Sequence, residues 1–121
     1  MNMSTKKTVV VLEDDVAIGE LLEYLLTEEN IEVKLFDRAV PFEREMEQLH
    51  ADLYLLDIML PDGDGYEICC KLRKREKTSH TPILLISAHF ENIQNGCNAE
   101  GFIKKPFHID ELMNHVKRQL Q

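Results

Sequence analysis

Short runs of aliphatic and β-branched residues alternate along this chain with stretches in which apolar residues recur every three or four positions. The runs are typical of strands buried in a sheet, and the wider spacing is typical of amphipathic helices. The runs predict strands at 8–12, 31–36, 53–56, 83–87 and 102–104. The spacing predicts a helix after each strand, the fourth of them short and polar, around 18–26, 42–49, 66–77, 90–96 and 109–120.

This alternation predicts an α/β fold built from five βα units. We expect a doubly wound, five-stranded parallel sheet of the flavodoxin-like (βα)5 type, with helices on both faces and right-handed crossovers. Ligands of such sheets bind beyond the carboxyl ends of the strands, where the strand order reverses. A chain of 121 residues has room for one domain, so residues 1–121 are expected to form a single unit.

Composition narrows the class of protein further. The apolar share of 44% and the charged share of 30% are ordinary for a globular domain. A formal net charge of −8 disfavours nonspecific binding to nucleic acid or to an anionic membrane, and no apolar run is long enough to span a bilayer. Residues 1–64 hold 16 acidic and 5 basic residues, whereas residues 65–121 hold 6 and 9. This asymmetry indicates an acidic group that could hold a cation.

The three cysteines are Cys69, Cys70 and Cys97, an odd number of which two are adjacent. Neighbouring residues have poor geometry for a disulfide between them. We therefore expect reduced thiols in a cytoplasmic protein.

Polar side chains follow the carboxyl ends of four predicted strands. An acidic triplet that begins with Glu13 and Asp14 follows the first strand, and Asp57 follows the third. Ser87 ends the fourth strand, and Lys105 follows the fifth. Clustered carboxylates repel one another unless a cation neutralises them, and hard oxygen ligands suit Mg²⁺. One carboxylate could act as a nucleophile, with the ammonium and the hydroxyl binding phosphoryl oxygens.

Four stretches of the chain carry a family resemblance, and they span nearly its whole length. They read VVVLEDD at 9–15, DLYLLDIMLPDGDGYE at 52–67, PILLISA at 82–88 and GFIKKPF at 101–107. In this order and spacing they resemble the receiver domain of bacterial two-component response regulators, the CheY-like superfamily. The resemblance implies that residues 1–121 are a receiver domain without an effector domain.

The resemblance also implies a role for each polar residue at the strand ends. Asp57 corresponds to the phosphoacceptor. Lys105 corresponds to the lysine that contacts the phosphoryl group, and its peptide bond to Pro106 is expected to be cis, a geometry that proline permits. The ligands of Mg²⁺, for which Mn²⁺ is a substitute, correspond to Glu13, Asp14, Asp57 and the backbone carbonyl of Met59.

Further positions correspond to the family's switch. Ser87 occupies the place of the switch hydroxyl, where threonine is commoner, and Phe102 occupies that of the switch aromatic residue. Met59 and His89 stand at the two positions that tune phosphoryl lifetime in the family. The resemblance implies that phosphorylation draws the Ser87 hydroxyl inward, moves Phe102 and changes a surface that another protein reads.

The function implied is that of a phosphorelay receiver rather than an enzyme, since it catalyses only its own phosphorylation and dephosphorylation. The phosphoryl group would come from a sensor histidine kinase or a phosphotransfer protein. The output would pass to another protein or to an effector domain outside this chain. The resemblance is compatible with a phosphorylation-dependent dimer, and it implies no direct contact with nucleic acid or membrane.

One departure from the family bears on this interpretation. The stretch between Ser87 and Lys105 is shorter than in the family by about one helical turn, which predicts a shortened fourth helix and leaves a degenerate receiver, acting only as a docking module, as the alternative.

Two other classes of protein fit the sequence less well. A phosphatase of the haloacid dehalogenase type would need an acidic residue two positions after Asp57, where this chain has Met59. A flavodoxin-like cofactor binder would need a first loop that cradles phosphate, which residues 13–15 would repel.

Overall fold

The computed structural model describes residues 6–89 and 94–121. Within these ranges the helices and strands follow one another in the alternation expected from the sequence. In chain order they are β1 (Thr8–Leu12), α1 (Val16–Glu28), β2 (Glu32–Phe36), α2 (Ala39–Glu45), β3 (Leu53–Asp57), β4 (Met59–Leu60), β5 (Gly63–Asp64), α3 (Gly65–Arg73), β6 (Ile83–Ser87), β7 (Gly101–Lys104) and α4 (Ile109–Leu120).

Five of the strands form one parallel sheet in the order β2-β1-β3-β6-β7. Leu12 at the end of β1 lies in register with Phe36 on one side and Leu56 on the other. Asp57 at the end of β3 lies in register with Ile86. The strand order reverses between β1 and β3, which is where such sheets bind ligands. The doubly wound, five-stranded fold predicted from the sequence is confirmed.

The core lies on both faces of the sheet, because successive residues of a strand point to opposite sides. Val10 and Leu12 pack toward α2 and α3, whereas Val9 and Val11 pack toward α1 and α4. Each of these four side chains is fully buried. None of the helices that the structure describes is long and apolar enough to cross a membrane.

A small antiparallel hairpin of β4 and β5 occupies the turn-rich loop that follows Asp57. Asp62 at its tip accepts hydrogen bonds from the backbone N–H groups of Ala39 (2.7 Å) and Val40 (2.9 Å). The hairpin therefore caps the amino end of α2, where Arg38 makes no side-chain cap.

The fourth predicted helix, at 90–96, is only partly covered, because residues 90–93 lie outside the described ranges. The described remainder contains no helix. Residues 94–100, here called the connecting segment, run as a turn and irregular chain into β7. Helix α3 also ends at Arg73, earlier than predicted.

The expectation of three reduced thiols is wrong for Cys70 and Cys97, which form a disulfide with their Cα atoms 5.0 Å apart. Only Cys69 is a free thiol among the described residues, and it is buried. Adjacent cysteines disfavour a bridge between Cys69 and Cys70, but either of them can pair with Cys97. Cys97 lies 27 residues after Cys70 in the sequence, so only folding brings the connecting segment against α3.

Candidate functional site

The candidate site is built around Asp57, the last residue of β3, which is only 3% exposed. The backbone N–H of Met59 donates to Asp57 Oδ1 over 3.1 Å. Helix α3 begins close behind: a Cβ atom at Gly65 would lie 2.1 Å from the carbonyl oxygen of Asp57. Glycine is therefore required where the chain turns past the backbone of Asp57.

The ammonium of Lys105 bridges two buried carboxylates. Its Nζ lies 2.9 Å from Asp57 Oδ2 and 2.9 Å from Glu13 Oε1. The backbone N–H of Lys105 donates to the carbonyl of Ser87 over 2.9 Å, which ties the residue to the end of β6. Glu13 also accepts from the backbone N–H of Asp15. Three parallel strands thus bring together groups that are far apart in sequence.

Burial shapes the electrostatics of these groups. Burial and the hydrogen bond with Asp57 raise the pKa of Glu13 to about 7, although Lys105 and the backbone of Asp15 act to lower it. Burial favours the neutral form of Lys105, but the hydrogen bonds to Asp57 and Glu13 outweigh it and raise the pKa of the amine. One ammonium therefore does not fully compensate the negative charge of the site.

Glu13, Asp14 and Asp57 form a group of carboxylates whose oxygen atoms come within 4.8 Å of one another. Glu13 and Asp57 are buried, and Asp14 is exposed at the mouth of the site. Oxygen donors beside solvent match the preference of Mg²⁺, which binds few carboxylates and keeps several waters. The donor set and the unbalanced charge fit a divalent cation.

Ser87 and the residues after it complete the site. The Ser87 hydroxyl is buried, donates to the carbonyl of His89 (3.1 Å) and accepts from its N–H (3.0 Å). Phe102 lies on β7 and packs, half-buried, against the core on the α2–α3 face. The peptide bond between Lys105 and Pro106 is cis, as expected.

These side chains surround an open cavity of about 280 Å³ at the carboxyl ends of β1, β3 and β6. Five of the residues singled out in the sequence line it, together with Asp15 and Ala88: they are Asp14, Asp57, Met59, Ser87 and Lys105. Glu13 lies behind Lys105 and outside this lining. His89 reaches it through its backbone bonds to Ser87, and Phe102 lies outside the lining.

Sequence reasoning missed two residues that hold the surroundings of this site in place. Tyr66 bonds through its hydroxyl to the carbonyl of Gln94 (2.6 Å) and the N–H of Cys97 (3.2 Å). Arg73 donates to the carbonyl of Asn98 and to Glu100. Their only sequence signal is a spacing of seven residues, which places both on one face of α3.

The family to which the chain belongs is established by comparison as well as by geometry. The model of the response regulator receiver domain matches residues 9–117. The chain is 35% identical over 117 residues to the phosphate regulon transcriptional regulatory protein PhoB of Rhizobium meliloti, covering 93% of this chain and 52% of PhoB. The chain is a member of the response regulator receiver family of two-component systems. It spans about half the length of the curated relatives it matches.

Solved structures agree with this assignment. The response regulator TrrA of Thermotoga maritima, in complex with Mg²⁺ and beryllofluoride, is 28% identical, covers 94% of this chain and 99% of its own, and has a TM-score of 0.83. The chemotaxis response regulator CheY4 of Vibrio cholerae is 21% identical with a TM-score of 0.88, covers 96% of this chain and 100% of its own, and shows the same fold. Domains of this family are signalling domains rather than classical enzymes.

Proposed function

We propose that this domain accepts a phosphoryl group on Asp57 from a sensor histidine kinase or a phosphotransfer protein. The observation that carries the proposal is the buried Asp57 carboxylate, held by the N–H of Met59 and by Lys105 beside the carboxylates of Glu13 and Asp14. A nucleophile, a fixed cation and a second cation-binding group are the parts that phosphoryl transfer needs.

The residues would divide the chemistry as follows. An oxygen of Asp57 attacks the phosphorus of a phosphohistidine or acyl phosphate, the bond to the donor breaks, and the donor leaves with its electron pair. Lys105 moves from Asp57 Oδ2 to a phosphoryl oxygen, and the Ser87 hydroxyl turns from His89 to donate to another. Glu13, Asp14, Asp57 and the carbonyl of Met59 would hold Mg²⁺ or Mn²⁺, which supplies charge neutralisation to the phosphoryl oxygens.

The same residues would pass the signal on. A Ser87 hydroxyl turned toward the acyl phosphate gives up its two bonds to His89, and Phe102 on the neighbouring strand repacks toward the space it leaves. Met59 is 63% exposed and His89 is also exposed at the rim, which supports a role for both in controlling the access of water. Water access then sets the lifetime of the phosphoryl group.

We place the domain in the cytoplasm, because that is where such phosphoryl donors are made. Its output would be read by another protein or by an effector domain outside this chain, with a phosphorylation-dependent dimer as one form of response. We expect no direct contact with nucleic acid or membrane, in keeping with the net charge of −8.

The test is incubation of the chain with acetyl phosphate and Mg²⁺, followed by intact-mass measurement. We expect one phosphoryl adduct that requires the metal and is absent in Asp57→Asn. The matched control is Asp37→Asn, the same chemical change at an exposed residue that follows β2 at the same edge of the sheet. Asp37→Asn should be modified as the wild type is.

The competing function is a docking module without phosphoryl chemistry. It is favoured by one observation: residues 94–96, the described part of the short helix predicted at 90–96, are not helical. An unmodified wild-type chain that also fails to bind Mg²⁺ would make this the better account.

A further inference from the structure

The three cysteines of the chain meet where α3 faces the connecting segment. The disulfide joins Cys70, near the end of α3, to Cys97 in the middle of the segment. Cys69 is fully buried beside them, with its sulfur 3.7 Å from the carbonyl of Cys97. Cys70 and Cys97 are half-buried, so a small thiol or disulfide can approach them from solvent.

Little apolar contact holds the connecting segment to the domain. Among its described residues only Ala99 is buried and Cys97 half-buried, and the others are exposed. The segment is fastened to α3 by the Tyr66 hydroxyl and the Arg73 guanidinium, each of which is itself partly open to solvent. Glu100 at the end of the segment is held more firmly, by Arg73 and by the backbone of Ile83. Each hydrogen bond contributes a modest net free energy, so the covalent bond is the strongest single constraint on residues 94–98.

In sequence the connecting segment lies between two parts of the site. It follows Ser87 and His89, and it leads through β7 to Lys105. The hydroxyl of Ser87 and the position of Phe102 are the features that we propose to change on phosphorylation. A bond that fixes residue 97 on α3 therefore restrains the chain on which both changes must act.

We propose that Cys70 and Cys97 form a reversible thiol–disulfide switch that exchanges with low-molecular-weight disulfides such as oxidised glutathione. The disulfide form holds the connecting segment on α3, and by doing so it opposes the response to phosphorylation. The effect on the response to phosphorylation rests on the proposed function, whereas the thiol–disulfide exchange and the fixing of the connecting segment do not.

The exchange balances as two transfers. The thiolate of one cysteine attacks a sulfur of the small disulfide, whose S–S bond breaks, and one small thiolate leaves and takes up a proton. The other cysteine, as its thiolate, attacks the mixed disulfide on the protein sulfur and releases the second small thiol. Both protein thiols are oxidised and the small disulfide is reduced. Burial raises the pKa of Cys69, which keeps it protonated and out of the exchange.

The first experiment counts thiols in the full chain after equilibration with oxidised glutathione or with dithiothreitol. After denaturation and alkylation, we expect three modified cysteines in the reduced sample and one in the oxidised sample. Cys97→Ser should lose the response, and Cys69→Ala, the matched control, should keep it. Three alkylated cysteines after oxidation, a mixed disulfide alone, or a bond that dithiothreitol cannot reduce in the folded protein each overturn the proposal.

The second experiment asks whether the bond acts as a lock. Hydrogen exchange of the backbone amides at 94–100 should be slower in the oxidised chain than in the reduced chain, and Cys97→Ser should match the reduced chain in both buffers. Equal hydrogen-exchange rates at 94–100 in the two forms would contradict the proposal that the disulfide holds this segment in place.

The third experiment measures the affinity for beryllofluoride with Mg²⁺ in each redox form. We expect binding to be weaker by about fivefold in the oxidised form, a usual size for coupling between two sites. Equal affinity overturns the coupling. Failure of both forms to bind counts against the phosphoacceptor function, while thiol counting and hydrogen exchange decide the switch separately.

Discussion

At the scale of single residues, the site places two buried carboxylates around one ammonium. The side chains of Glu13 and Asp57 are 0% and 4% exposed, and that of Lys105 is 20% exposed. Burial makes each unpaired charge costly, and it raises the pKa of Glu13 to about 7. Burying these charged groups together therefore costs part of the free energy of folding.

Removing the charge of Asp57 should stabilise the metal-free chain. Asp57→Asn leaves Lys105 paired with Glu13 alone, and we expect the free energy of unfolding in EDTA to rise by about 1 kcal/mol, because the repulsion between two buried carboxylates is relieved. Urea denaturation near neutral pH measures it, with Asp37→Asn as the control that should change little. An Asp57→Asn chain less stable than the wild type would contradict this balance of charges.

Removing the charge of Lys105 should have the opposite effect. Lys105→Met leaves two buried carboxylates without their cation, and we expect a loss of about 2 kcal/mol in the same buffer, less than is usual for a broken buried ion pair because Lys105 is partly exposed. Lys104→Met changes the exposed neighbouring lysine and should be nearly neutral. Equal stability of the two variants would show that the ion pairs of Lys105 contribute nothing.

The residues of the site were largely predictable, because each follows a recognisable strand. Asp57 and Ser87 end hydrophobic runs, and Glu13 and Lys105 directly follow them. The hydrogen bonds of Tyr66 and the disulfide of Cys70 were not predictable. Both depend on the path of the connecting segment, which carries no hydrophobic periodicity.

At the scale of elements, the start of α3 and the hairpin of β4 and β5 support the site from behind. Gly65 lets the helix begin against the backbone of Asp57, and the N–H of Gly65 donates to the carbonyl of Ile58 over 2.9 Å. Asp62 joins the hairpin to α2. These contacts connect β3, which ends at Asp57, to the helices of one face.

A side chain at Gly65 should disturb the site through the backbone. The Cβ of Gly65→Ala would collide with the carbonyl of Asp57, which cannot move aside as a flexible side chain could, and we expect a loss of about 2 kcal/mol in stability together with weaker beryllofluoride binding. At Gly96 the nearest atom is the Tyr66 hydroxyl at 3.5 Å, so Gly96→Ala is the control and should be mild. Thermal unfolding and a beryllofluoride titration check both, and unchanged behaviour of Gly65→Ala would refute the contact.

The capping role of Asp62 gives a pH-dependent prediction. Hydrogen bonds from the backbone of Val40 and Ala39 lower the pKa of Asp62 below its ordinary value. A lowered pKa means that the carboxylate stabilises the fold above the ordinary range of about 4 and that this contribution is lost as the pH falls through the folded-state pKa. Asp62→Ala should therefore be less stable than the wild type near neutral pH, with the difference shrinking in acid. Urea denaturation across this range measures it, and a difference independent of pH would contradict the cap.

Element prediction from the sequence succeeded where the hydrophobic period was strong. The buried strands and α4 fall within a residue or two of their expected ranges, since their apolar positions repeat regularly. The hairpin of β4 and β5 could not be predicted, because two-residue strands carry no period. Helix α3 was predicted too long because its basic last residues, as far as Lys77, look helical by charge alone.

At the scale of the whole molecule, the parallel sheet is what brings the site together. Lys105 is 48 residues from Asp57 and 92 from Glu13, and no local structure could join them. Strands β1 and β3 are neighbours at the point where the order reverses, so their carboxyl ends form one edge. The alternation of strands and helices in the sequence was enough to predict this convergence.

The assembled acidic group predicts that Mg²⁺ stabilises the fold as a whole. Metal at ten times its dissociation constant should raise the free energy of unfolding by about 1.4 kcal/mol, because it binds only the folded chain. Asp14 is exposed, so Asp14→Asn should fold normally yet lose most of this effect. Thermal unfolding in Mg²⁺ and in EDTA measures it, and identical midpoints for the wild type would exclude a metal site of useful affinity.

The central claim is that the edge of this sheet makes Asp57 a phosphoacceptor, and chemical trapping tests it most directly. The chain is treated with acetyl phosphate and Mg²⁺ and then with borohydride, which reduces an aspartyl phosphate to homoserine, and peptide mass spectrometry locates the change. We expect homoserine at position 57 in the wild type and in Asp37→Asn, and none when Mg²⁺ is withheld. Homoserine at another aspartate, or at none, would contradict it.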